Sequence, residues 1–242
     1  MICAGCGDKA AAPSLPVRRL RIFHAAGITP VLETLRADAR KDLNLDLITE
    51  GSGSQAACRK IAELGRECDL VILADSEHVA TLLAGFCSWR LDLATDEIVL
   101  GVGVRAPHVN EAEKDWPTVL LRPDVRLGRV DETQGPIGYR AMMTWQLQES
   151  LGPPGLADAL YAKCDKVMDD VALLTPLLKR GELDYAFVYK SICIAHDVRY
   201  IELDRRINLG APDVDYSAAS VTYRAPTAAG APRQVIVRGG PV

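Results

Sequence analysis

The chain has 242 residues, 48% of them hydrophobic and 25% charged, with a net charge of −4. That is an ordinary globular composition, long enough for one large domain or two small ones. Lys and Arg are scattered, which excludes the basic stripe of a nucleic-acid binder, and apolar runs such as LVIL at 70–73 fall far short of the roughly 20 residues that cross a bilayer.

The N-terminal ICAGCGDKAAAPS sets small residues before a cysteine and a polar Ala/Pro/Ser linker after it. This resembles the end of a bacterial lipoprotein signal with Cys6 as the lipidated residue, although the charged and apolar regions that precede such a site are missing. A lipid attachment site and a chance match both stand as readings. Beyond it, Cys58, Cys68, Cys87, Cys164 and Cys193 are odd in number and show no metal-ligand spacing, so no disulfide framework is expected.

From residue 20 the pattern alternates between strand and helix. LRIFHA (20–25) predicts a strand, followed by the helix PVLETLRADARK with Thr29 as N-cap and Pro30 at its first position. LDLIT (45–49) predicts a second strand. The loop GSGS then opens a helix whose Ala57, Ile61 and Leu64 recur at helical spacing until Gly65 ends it. DLVILA (69–74) predicts a third strand, and Asp75 and Ser76 suit the cap of a helix carrying Val79, Leu82, Leu83 and Phe86 on one face. Successive units of this size imply parallel strands with helices on both faces. TDEIVLGVGV (95–104) predicts a long strand. WPTVLLRPDVRLGRV holds turn signals and another strand, and DETQGPIGYRAMMTWQLQESLG runs from loop into helix. Helices are expected from Leu156 and up to LLTPLLKRG, and strands at DYAFVYKS (184–191) and RYIEL (199–203). The tail reads as loop around one short strand.

A strand, a short loop and a helix N-terminus recur at 25–30, 51–54 and 131–139. Helix N-termini expose unpaired N–H groups and the positive end of the dipole. In open α/β sheets ligands gather at the carboxyl ends of the strands. Three such loops brought together make a neutral, hydroxyl-lined anion cradle.

Six segments, in order, then carry a resemblance: FHAAGITPVLETL, EGSGSQAACRKIAELGRECDLVILAD, LATDEIVLGV, RPDVRLGRVDETQGPIGYRAMM, GELDYAFVYKSICIAHDVRYIEL and INLGAP. They resemble the molybdate/tungstate-binding proteins of ABC importers, most closely the tungstate/molybdate (Wtp-type) branch, over residues 20–212. The resemblance implies an α/β, type II periplasmic-binding-protein fold, two lobes with the ligand cleft between them and hinge closure over the ligand. Residues 1–19 would be the lipoprotein-like segment and linker, 20–95 and 192–242 a discontinuous first lobe, and 96–191 the second, with TDEIVLGV and YAFVYKS crossing between them. The implied function is extracytoplasmic: a periplasmic or cell-surface solute-binding protein that delivers molybdate or tungstate to an ABC transporter permease. No cofactor, metal or nucleic acid is expected, and the membrane is touched only through a lipid at Cys6.

The family's turn after the first strand reads His-Ala-Gly-Ser. This chain has His24, Ala25, Ala26 and Gly27, which loses the serine and leaves the N–H groups of Ala26 and Gly27 and the hydroxyl of Thr29. Ser54 falls on the family's ligand serine, with Ser52 beside it as a turn residue and secondary contact. In the family's Asp-Pro-Cys-Gly-Tyr-Arg segment the chain has Gly135, Pro136, Ile137, Gly138, Tyr139 and Arg140, so one ligand carboxylate is gone. Thr133 and Tyr139 belong to the same loop-to-helix turn. Val188 stands where a glutamate is expected, and Tyr200 matches the family's tyrosine. A site without those carboxylates holds the anion only by hydrogen bonds to its oxygens, which implies a tetrahedral oxyanion rather than an octahedral one.

Each residue also has a plainer reading. Ser54 and Thr29 would serve as helix caps, Tyr139 as core, and Tyr200 as a half-buried strand tyrosine. Arg140 either pairs with the anion or fixes a carboxylate across the cleft. His24, His78, His108 and His196 are too scattered to suggest a metal triad. Cys58 near a helix N-terminus has a reason for a lowered pKa but no recognisable base. A Walker loop is absent, and GVGV at 101–104 lacks the third glycine of a dinucleotide fingerprint. The chain therefore reads as a binding protein and not an enzyme. Three rivals remain: a site for sulfate or phosphate; the effector-sensing domain of a regulator on the same fold, although no helix-turn-helix is read before residue 20; and a cysteine-nucleophile enzyme whose turnover would be lost on Cys58→Ala.

Overall fold

The computed structural model describes residues 16–225 and 231–242. Three parallel strands make a small sheet, with β1 (Arg18–Ala25) between β2 (Leu45–Ser52) and β3 (Leu70–Ile72). Helices α1 (Thr29–Leu43), α2 (Ser54–Ala62) and α3 (Glu77–Thr81) follow these strands in turn. Ile22, Leu32 and Leu47 form its core, with Leu20, Ile28, Leu70 and Ile72 packed against them. Parallel neighbours joined by a helix put every strand's carboxyl end on one edge of the sheet, and the connecting loops 26–29, 52–54 and 73–76 collect there.

The larger lobe contains β4 (Ile98–Val102), α4 (Val109–Leu120), β5 (Leu127–Val130), α5 (Pro136–Ser150), α6 (Leu156–Lys163), β6 (Lys166–Met168), α7 (Val171–Arg180), β7 (Tyr185–Tyr189), α8 (Lys190–Ala195) and β8 (Tyr200–Glu202). Its sheet order is β6-β5-β7-β4-β8. β5 runs parallel to β6 and β7, whereas β4 is antiparallel to β7 and β8. Trp116 and Trp145 meet the Phe187 ring edge-on at 5.3 and 5.6 Å between centroids, anchoring α4 and α5 to the sheet. A two-stranded antiparallel ribbon, β9 (Ser220–Ala225) and β10 (Arg233–Arg238), completes the described chain.

Several expectations change. The stretch 192–242, expected to rejoin the first lobe, packs with the larger sheet. β8 pairs with β4, and Val198, Ile201, Tyr216, Val221 and Tyr223 share the larger core. The two expected crossovers, β4 and β7, pair with each other. The helix after β3 stops at Thr81, leaving Leu83 buried but Phe86 56% exposed. The Trp116–Leu120 stretch, expected to hold turns, is the end of α4, where Asp115 breaks the helical backbone just before Pro117. β9 comes just before the tail in a stretch where no element was expected, while β10 is the one strand expected of the tail. Cys6 lies outside the described residues.

Gly138 sits in the first turn of α5, pressed on the loop that follows β5. A Cβ there would lie 2.6 Å from the Asp131 carbonyl oxygen and 2.8 Å from the Glu132 Cα. Both neighbours are backbone and cannot swing aside. Gly138→Ala is expected to cost about 1–3 kcal/mol of stability, the usual range for overpacking. Urea denaturation checks this; a midpoint equal to wild type would mean that α5 is free to shift.

Candidate functional site

The loops at the carboxyl ends of the small sheet meet those that follow β5 and β7. The closest approach is backbone to backbone: a Cβ on Gly53 would lie 2.2 Å from the Gln134 carbonyl oxygen and 3.7 Å from the Gly135 Cα. Gly53 and Gly135 are the N-cap positions of α2 and α5, and neither helix has a side-chain hydrogen bond capping its first turn. Two positive helix ends therefore converge on one seam.

Ser54 is the first residue of α2, so the cap position expected of it falls to Gly53. Its buried Oγ accepts the N–H of Ala74 at 3.1 Å, which ties the loop after β2 to the loop after β3. A hydroxyl that accepts in this way still has its proton to donate. Ser52 Oγ accepts from Lys60 Nζ at 3.0 Å. Thr29 is likewise the first residue of its helix rather than the cap, and its Oγ1 donates to the Ala26 carbonyl at 2.7 Å. Ala26 and Gly27 lie in the short 3-10 turn before it. A Cβ on Gly27 would sit 3.0 Å from Ile192 Cδ1 of α8, so this turn also touches the larger lobe.

Thr133 is turned onto Asp131, whose Oδ1 accepts both its N–H and its hydroxyl. Gly135, Pro136 and Ile137 form the buried start of α5, with Tyr139 fully buried behind them. Val188 is packed inside the larger lobe beside Gly101, and Leu178 lies against that same glycine. Tyr200 lies on the edge strand β8, its ring 5.8 Å from Lys190 Nζ. The structure thus gathers Ser54, Gly135 and Pro136 at the seam, with Gly27 at a second lobe contact. Val188 belongs to the core and Tyr200 to the sheet edge.

Behind the seam lies a buried polar cluster. Asp75, in the loop after β3, accepts the phenol hydroxyl of Tyr139 and pairs with Arg140 NH2 at 3.4 Å. Arg140 NH1 donates to the Ala74 carbonyl at 2.7 Å and to the Tyr189 hydroxyl at 2.9 Å. Asp75 and Arg140 are each 6% exposed. Arg140 therefore fixes a carboxylate across the seam, the second of its two readings from sequence. The Tyr139 ring stacks on Tyr223 at 6.0 Å, and Gln55 Nε2 donates to the Tyr223 hydroxyl at 3.4 Å. Gln55 Oε1 and His78 Nδ1 are buried without a hydrogen-bond partner among the described residues.

Burial pushes the Asp75 carboxyl up, but Arg140, His78, the Tyr139 hydroxyl and the Glu77 N–H outweigh it and leave its pKa below the ordinary value. Burial works against the charge of Arg140 too, yet Tyr189, Asp75 and Tyr139 raise its pKa, so it stays cationic. Burial holds the His78 pKa down, against the pull of Asp75, and holds the Tyr139 pKa well up. Burial also pushes the Cys58 thiol up to about 12, opposite to the lowered value its place near a helix N-terminus suggested. Asp75, Gln55, Tyr189 and Tyr223 were missed as members of the site. Asp75 reads in sequence as a cap, and its Oδ1 does accept the Glu77 N–H at 2.9 Å. Cavities of about 280 and 500 Å³ lie elsewhere, one beside Val79 and Trp89 and the other beside Val102 and Arg199.

Residues 20–231 match the sequence profile of a family described as bacterial extracellular solute-binding protein. A solute-binding protein of Petrotoga mobilis is 34% identical over 197 residues, which is 78% of this chain and 60% of that one. The molybdate/tungstate-binding protein WtpA of Pyrococcus abyssi is 29% identical over 223 residues, 79% of this chain and 65% of that one. The chain thus spans under two thirds of the length of these two relatives. Among solved structures, the Azotobacter vinelandii periplasmic molybdate-binding protein superposes with a TM-score of 0.60 at 16% identity, over 76% of this chain and 77% of that one. That likeness is one of fold, and the fold is the type II periplasmic-binding-protein fold.

A carboxyl whose folded pKa is lowered contributes stability above its unfolded value of about 3.9 and loses it as the pH falls through the folded value. Chemical denaturation should show stability falling on acidification below about pH 4, and Asp75→Asn should flatten part of that fall. Glu50 and Asp204, lowered to about 2 by their basic partners, account for a further part at the surface. A variant whose profile runs parallel to wild type would show that Asp75 contributes none of it.

Proposed function

The chain belongs to the bacterial extracellular solute-binding protein family, and from that membership we propose that it captures molybdate or tungstate at the seam and hands it to the permease of an ABC importer. The carrying observation is the seam itself: two helix N-termini without side-chain caps meet at Gly53 and Gln134, beside a buried serine with a proton to give. Fixed N–H groups and a hydroxyl are the donors that hold an oxyanion without a counter-charge. The molybdate/tungstate-binding relative supports the choice of ligand. In this reading the protein works outside the cytoplasm and carries its ligand without chemical change. Cys6, outside the described residues, is the proposed lipid anchor, which membrane fractionation of the expressed protein tests.

Gly135 and Val188 stand where the resemblance calls for carboxylates, so no side chain at these positions reaches a metal centre as a ligand. The oxyanion is accordingly held tetrahedral, through its oxygens. The same fact favours a second reading, sulfate or phosphate, because hydrogen bonds to oxygen do not distinguish the central atom.

A thermal-shift screen of molybdate, tungstate, sulfate and phosphate tests both. A ligand at 100 times its dissociation constant should add about 2.7 kcal/mol of stability, and no response to any of the four defeats the proposal. Ser54→Ala should weaken binding by about 1–3 kcal/mol in calorimetry. If only the melting temperature falls while affinity holds, the hydroxyl is structural. Gly53→Ala drives a methyl into the Gln134 carbonyl, so affinity should fall by at least about tenfold, the equivalent of 1.4 kcal/mol.

A further inference from the structure

Ala74 is held from both sides of the molecule. Its N–H is bound by Ser54 Oγ at 3.1 Å within the small lobe, and its carbonyl by Arg140 of α5 at 2.7 Å from the larger lobe. Asp75 follows it and takes the Tyr139 hydroxyl and the Arg140 guanidinium of that same helix. The contacts with Tyr139 and Arg140 cross between the lobes, and the side chains of Asp75, Tyr139 and Arg140 that make them are buried. Separating the lobes would break them together, leaving a cation and a carboxylate that no longer neutralise one another. The cluster is shut in this structure, and because its contacts to α5 break as a set it meets the requirement of a switchable contact.

We infer that Asp75 and Tyr139 form a latch across the seam, and that Asp75 is a positioning residue: through Ala74 it couples the Ser54 hydroxyl to the closed arrangement of the lobes. Its bearing on ligand residence rests on the oxyanion reading of the seam, whereas its bearing on lobe closure does not. Anything that fixes Ser54 also fixes the Ala74 peptide and so presents its carbonyl to Arg140. Arg140, engaged by Ala74, Tyr189 and Asp75, acts in closure rather than as the anion's direct counter-charge.

Tyr139→Phe removes one bond of the latch and keeps every charge and the ring stack on Tyr223. Tyr185→Phe is the matched control, since the Tyr185 hydroxyl donates to the Pro107 carbonyl wholly within the larger lobe. Small-angle scattering of the protein alone should give Tyr139→Phe a larger radius of gyration than wild type, with Tyr185→Phe unchanged. Stopped-flow dissociation of whichever oxyanion wild type binds should be about tenfold faster in Tyr139→Phe, as expected for a lost hydrogen bond to a charged group. In an Asp75→Asn background the same substitution should add little, because it acts through the carboxylate. If Tyr139→Phe merely melts earlier, with wild-type radius and dissociation rate, the latch is overturned. Should wild type bind none of the oxyanions, the proposed function fails, and the scattering comparison still decides the latch.

Discussion

Backbone meets backbone where Gly53 lies against the Gln134 carbonyl, and that contact sets how the two sheets face each other. Any side chain at 53 would hold the lobes apart, since a Cβ would come within 2.2 Å of the carbonyl oxygen. Close approach brings the starts of α2 and α5 into register. It also allows Asp75 to reach Arg140 and Tyr139, because those residues occupy the first turns of α5 just behind Gly135. The absence of one methyl group is thus upstream of both the donor cradle and the charge cluster behind it.

The charge arithmetic of the seam follows. A buried guanidinium is costly unless paired, and Arg140 is paired with a carboxylate from the opposite lobe while its NH1 donates to a carbonyl and a phenol. The pair cancels itself, so the positive character left at the seam comes from the helix ends and from Arg59 of α2, which donates to Gln134 Oε1 at 3.1 Å. Such a site binds through geometry: the anion must fit the positions of fixed N–H groups, and its affinity depends on how firmly the lobes are held. The loop that carries Asp75 is tied to Ser54 through Ala74, so the proposed latch would make closure and recognition one event.

Local periodicity made the alternation of strands and helices readable from residue 20, because each β-α unit of the small lobe carries its own turn chemistry. Pro30 in the first turn of α1 and the glycine loop before α2 are signals of this kind. The destination of the C-terminal quarter was not readable. RYIEL looks like a strand wherever it pairs, and only the burial of Ile201 beside Leu100 on the larger sheet decides its partner. β9 escaped notice because its exposed half is polar and its neighbours are turn formers. At the site, Ser54 and the Gly135–Tyr139 segment stood out through spacing and resemblance. Asp75 did not, since an aspartate after a strand and before a helix already has a sufficient local role. Its second role depends on a helix more than 60 residues away, a contact that no local pattern encodes.

Val188 and Gly135 bear on how selectivity arises. A carboxylate at either place would add negative charge that only a metal centre could repay, and would tie the site to ligands able to expand their coordination. Valine at 188 instead fills core volume beside Gly101, where an ionised group would be costly without a partner. Glycine at 135 starts a helix in whose first turn Pro136 carries no N–H and the Gly138 N–H is taken by the Gly135 carbonyl at 2.9 Å, which leaves the Ile137 N–H to meet an acceptor. If the seam holds a tetrahedral dianion as proposed, discrimination falls to size, through the spacing at which α2 and α5 donors reach the same anion. That spacing is fixed by the Gly53 contact and held by the Asp75 pair, so the residues that set it lie behind the donors and not among them.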